Sequence, residues 1–92
     1  MGLFSRDKDE DEADLMKRAD LIYRVMEMIY ENRGRDRLDS SELERWFSNQ
    51  PYTESEYIDV GVENGWIKRD VAGIEITQYG KEYEVEYWKS FR

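Results

Sequence analysis

Carboxylates dominate the reactive side chains of this sequence: it has 22 Asp and Glu, no histidine and no cysteine. Histidine-based acid–base and nucleophilic chemistry is therefore excluded, as are disulfides and the usual structural zinc sites. The densest carboxylate run is Arg6 to Asp14, RDKDEDEAD. Its spacing fits no calcium loop, which needs a central glycine and a terminal glutamate. Ser40 and Ser41 read as helix-start residues rather than nucleophiles. There is no nucleophile elbow and no phosphate loop, so the expectation is a non-enzyme with no catalytic residue, cofactor or metal. The side chains left to carry function are those that make contacts. One set is acidic: Thr53 to Asn64 holds Glu54, Glu56, Asp59 and Glu63 without a Lys or Arg. The other is basic: Arg33, Arg35, Arg37, Arg45, Lys68 and Arg69.

The elements that position these residues must come from one small domain of 92 residues. A chain this short buries only about 60–65% of its unfolded surface. Its net charge of −8 is the wrong sign for general attraction to nucleic acid or anionic lipid. No secretory signal follows Met1, and the MGLFSR start misses the myristoylation pattern because Arg6 takes the Ser/Thr place. No stretch is apolar for long enough to span a membrane. The sequence thus reads as a cytoplasmic protein with no membrane partner. Residues 1–13 read as a disordered acidic tail and 14–92 as the folded domain.

Apolar spacing predicts a first helix from about Glu12 to Asn32. Leu15, Ala19, Ile22, Met26 and Ile29 form its central stripe. Met16, Tyr23 and Tyr30 widen the stripe on one side, and Leu21, Val25 and Met28 on the other. The apolar sector spans roughly 240°, wider than an ordinary core stripe. Either the rest of the chain or a second copy must cover it. Gly34 stops this helix within the polar link NRGRDR. Asp39 caps the next helix, with Glu42 at the capping-box position and Leu38 and Leu43 as the staple. Arg37-Leu38 is a candidate third strand. Pro51 separates this helix from the third, which opens on the T-x-x-E box Thr53–Glu56, stapled by Tyr52 and Tyr57. Gly65 ends the third helix. A short hairpin follows, turning between Asp70 and Gly73, with Ile74-Glu75-Ile76 as the return strand. Thr77 caps a last helix whose Tyr79, Tyr83, Tyr87 and Phe91 recur at i, i+4 with Trp88 beside them.

LDSSELERWF (Leu38 to Phe47), YIDVGVENGWIKRD (Tyr57 to Asp70) and IEITQYGKEY (Ile74 to Tyr83), in this order, resemble the small winged helix-turn-helix proteins of archaea, bacteria and phages. The resemblance covers about Leu15 to Tyr87. It implies an α+β fold: a winged helix-turn-helix with a short β-hairpin wing, here carrying an added C-terminal helix. It also implies DNA binding by a transcription regulator, with the third helix in the major groove and the wing beside the phosphates. The residues at those positions would be Thr53, Glu54, Ser55, Tyr57 and Asp59 on the helix and Lys68, Arg69 and Asp70 on the wing.

The charge departs from that pattern, because an acidic helix approaches phosphates with the wrong sign. The expected function is therefore protein–protein contact by a regulator-like module. Glu54, Ser55 and Asp59 would meet a basic protein partner. A homodimer is expected through Leu21, Val25, Met28, Trp88 and Phe91. Sequence-specific DNA binding through Arg35, Arg37, Arg45, Thr53, Lys68 and Arg69 is the alternative, disfavoured by charge.

Overall fold

A computed structural model describes the backbone of residues 2–91 and the side chains of residues 12–91. Among the described residues the fold is α+β, with four helices and a small antiparallel sheet. In chain order the elements are α1 (Gly2–Glu31), β1 (Arg37–Asp39), α2 (Ser40–Phe47), α3 (Glu54–Glu63), β2 (Ile67–Asp70), β3 (Gly73–Ile76) and α4 (Gln78–Lys89). The backbone is helical from Gly2, where the charge run predicts a tail through Ala13. The side chains of residues 1–11 lie outside the described residues.

Helix starts follow the capping chemistry of the sequence. Asp39 accepts from the Glu42 N–H at 2.9 Å, and Thr77 Oγ1 from the Gly80 N–H at 2.9 Å. The Thr53–Glu56 box is reciprocal: Thr53 Oγ1 accepts from the Glu56 N–H, and the Glu56 carboxylate accepts from the Thr53 N–H, both at 3.2 Å. Tyr52 and Tyr57 meet edge-on with ring centroids 5.9 Å apart, closing the staple. Gly65 leaves α3 at φ +75°, a conformation that disfavours any side chain.

The sheet order is β1-β3-β2, so β3 is central. Leu38 pairs with Ile74 and Arg69 also pairs with Ile74, while Arg37 and Lys68 flank Glu75. Ile74 is buried and Glu75 half-buried, so the central strand turns one face to the core and a charged face outward. Asp70 makes the hairpin turn by accepting from the Ala72 and Gly73 N–H groups at 2.9 and 3.0 Å.

The core joins α1 to α3 and the sheet. Its members include Val25, Met26, Met28 and Ile29 of α1, Leu43 and Phe47 of α2, Tyr57 and Ile58 of α3, and Trp66, Ile67, Ile74 and Ile76 at the sheet. Phe47 stacks on Tyr57 with centroids 4.6 Å apart. Three residues of the expected dimer surface are instead covered within the chain itself. Leu21, Val25 and Met28 are only 6%, 0% and 1% exposed within a single chain. Helix α3 and its neighbours cover the side of α1 that the sequence leaves to a second copy. Tyr23 and Tyr30 on the opposite side of α1 stay exposed, as do Leu15 and Met16.

Helix α4 returns along α1. Its aromatic line is only partly inward: Tyr79 and Tyr83 are exposed, and Tyr87 and Trp88 are half-buried. Gly80 and Glu84, one turn apart, occupy the innermost positions. A Cβ on Gly80 would lie 2.3 Å from the Trp66 carbonyl oxygen, so glycine lets α4 start directly against the backbone just before β2.

Candidate protein-contact surfaces

The four acids of α3 divide by geometry. Glu56 caps the helix and pairs with Lys17 of α1 at 2.6 Å. Glu63 pairs with Arg18 at 3.1 Å. These two therefore fasten α3 to α1. The Lys17 ammonium first, and then the Thr53 N–H and hydroxyl, hold the Glu56 carboxyl below its ordinary pKa. Glu54 and Asp59 form no ion pair among the described residues.

Glu54 and Asp59 do not share one depression. Glu54 turns toward the groove between α2 and the hairpin, which Leu43, Glu44, Arg69 and Asp70 also line. Asp59 lies over the α1–α3 groove with Asp14, Lys17 and Arg18. Ser55 is exposed one turn before Asp59. The outward face of α3 is thus Ser55, Asp59 and Val62 at i, i+4 and i+7, with Glu54 at its rim. Val62 was absent from the sequence-based site. It is 45% exposed at the C-terminal end of this face, and its i+7 spacing from Ser55 is the signal that points to it.

The candidate DNA-contacting cations differ in how far carboxylates engage them. Arg35 is engaged in a two-armed pair with Glu42, which raises its pKa. Arg37 bonds to Asp70 at 2.5 Å. Arg37 first, then the Ala72 N–H, holds the Asp70 carboxyl below its ordinary value. Arg45 shares a depression with Arg35, Glu42 and Trp46. Arg69 lies in the separate α2–hairpin groove, beside Glu44 and Glu54. Lys68 stands across from Glu75 on the outer sheet face. Arg45, Lys68 and Arg69 are exposed and make no ion pair among the described residues. Thr53 is committed to its cap.

Trp88 at the end of α4 and Phe91 just beyond it build an aromatic cluster on α1. Trp88 meets Tyr23, Tyr87 and Phe91 at centroid distances of 5.5, 5.1 and 6.0 Å. Phe91 remains 63% exposed. Sequence reasoning also missed Glu84, which is 1% exposed and grips Arg33 with both oxygens at 2.7 and 2.8 Å. Arg33 stacks on the Tyr30 ring at 4.7 Å. The hint of this pair was a glutamate one turn after Gly80, on the helix face that packs closest.

Among the described residues no helix is long and apolar enough to cross a membrane, and no group of three or more carboxylates is placed to hold a metal ion. Comparison with family models, curated proteins and solved structures gives no match to this chain.

Proposed function

We propose that the protein is a non-catalytic, winged-helix-like contact module that docks a basic protein partner through α3 and associates with itself along α1 and α4. The element order, the β1-β3-β2 sheet and the two-residue hairpin support the winged-helix reading. The observation that carries the contact reading is the division of charge on α3. Two of its acids are held by α1, while Asp59 and Glu54 form no ion pair among the described residues and lie on and beside an exposed face. Carboxylates presented this way steer a basic partner from long range and pair with it at contact.

The self-association surface is the outer edge of α1 rather than its buried side. Leu15, Met16 and Tyr23 on α1 and Phe91 beyond α4 offer apolar area to a second copy. The test of the contact reading is a pull-down comparing wild type with Glu54→Lys/Asp59→Lys. A partner present with wild type and lost from the variant supports it, and partners unchanged between the two contradict it.

DNA binding by a transcription regulator is the second reading. It is favoured by Arg45, Lys68 and Arg69, which are exposed and make no ion pair among the described residues. Against it stand the neutralising pairs on Arg35 and Arg37 and the carboxylates beside Arg69.

A further inference from the structure

A depression of ≈ 330 Å³ opens between α1 and α4, away from α3, lined by Glu27, Tyr30, Glu31 and Trp88. Its walls are two aromatic rings, Tyr30 and Trp88, with centroids 6.3 Å apart and planes at 77°. Glu27 and Glu31 are one turn apart on α1, so their carboxylates share a face of the helix. Neither forms an ion pair among the described residues. The nearby cations are engaged elsewhere: Arg24 with Asp20, Arg33 with Glu84 and Lys89 with Glu86. The Trp88 indole nitrogen is buried and has no hydrogen-bond partner among the described residues.

We propose that this depression binds the cationic side chain of a lysine or arginine on a basic partner protein. A cation over perpendicular aromatic walls is attracted by the ring quadrupoles, and the alkyl stem of Lys or Arg gives those walls apolar contact. Two unpaired carboxylates at the rim supply the complementary charge. Tyr30 already accepts one guanidinium, that of Arg33, so this ring has cation-binding geometry within the chain itself. Glu84 neutralises that guanidinium, which leaves the rim carboxylates free to act on an incoming charge. The proposal is independent of the α3 surface, since no residue is common to both.

The test follows the Trp88 indole N–H by NMR while N-acetyl-arginine methylamide or N-acetyl-lysine methylamide is added. Citrulline and norleucine analogues serve as uncharged controls. One exposed cation contact of this kind gives a dissociation constant of about a millimolar or weaker. The expected result is a saturable shift with the charged ligands alone. Glu27→Gln/Glu31→Gln should weaken it about tenfold, whereas Glu54→Gln/Asp59→Asn should leave it unchanged. Both double variants alter exposed or half-exposed side chains, so their spectra also report whether the fold is retained. No saturable shift, an equal shift from citrulline, or indifference to the Glu27 and Glu31 changes would overturn the proposal. A failed α3 pull-down alongside a positive Trp88 titration would contradict the α3 reading and leave this one standing.

Discussion

Replacing Arg33 with methionine should destabilise the fold far more than an ordinary surface change. Glu84 is 1% exposed, and both its oxygens accept from Arg33. Removing one partner of a fully buried pair costs about 3–5 kcal/mol, because a charge is left without compensation. Here the Arg33 side chain is 52% exposed, so water can reach the carboxylate once the guanidinium is gone. Solvent screening lowers the expected loss to about 2 kcal/mol. For a chain of this size that is a fall of about 1 M in the urea midpoint, or about 10 °C in Tm. Circular dichroism melts measure it. Glu84→Leu added to Arg33→Met should recover part of the loss, since an apolar pair of similar volume has no charge to desolvate. If Arg33→Met stays within about 0.5 kcal/mol of wild type, or the two changes simply add, Glu84 is not a desolvated carboxylate dependent on Arg33.

Gly80→Ala should cost about 1–3 kcal/mol in the same melts, because its Cβ meets the Trp66 carbonyl oxygen at 2.3 Å and backbone must move. A neutral result would mean that α4 has room to shift from the sheet. The native pKa values of Glu56 and Asp70 lie below their ordinary 4.5 and 3.8. Below about pH 4.5 the unfolded chain takes up protons more readily than the native one. Their contribution is thus complete above that pH and is lost as pH falls through the native values. Urea midpoints from pH 6 to pH 2 should decline, and less steeply in Lys17→Gln; an identical slope would remove Lys17 as the cause. Met16→Glu should lower the mass seen by light scattering at micromolar concentration while preserving the far-ultraviolet spectrum. An unchanged mass would remove the outer edge of α1 from the self-association surface. Val25→Glu should instead unfold the chain, because Val25 is 0% exposed.

Local chemistry made much of the architecture legible in the sequence. The caps at Asp39, Thr53 and Thr77, the Tyr52–Tyr57 staple and the left-handed Gly65 each depend on residues within one turn of each other. Such signals survive without knowledge of tertiary neighbours. The side of α1 that faces the core did not. Leu21–Val25–Met28 and Met16–Tyr23–Tyr30 are both apolar rows at helical spacing, and only the position of α3 decides which is buried. The same limit hid the Arg33–Glu84 pair, whose partners are 51 residues apart. It also hid the division of the α3 acids, because Lys17 and Arg18 reach Glu56 and Glu63 from a different helix. Periodicity identifies a face, but the identity of its neighbour is a tertiary fact.

On the proposed function, α3 and its surroundings meet protein rather than phosphate. Fluorescence anisotropy of labelled mixed-sequence duplexes, titrated with protein at low salt where electrostatic binding is strongest, tests it most directly. No submicromolar binding is expected, because the acids of α3 and the net charge of −8 repel the backbone. Submicromolar binding that weakens as salt rises, and that Arg45→Glu or Arg69→Glu abolishes, would contradict it and establish the DNA-binding reading in its place.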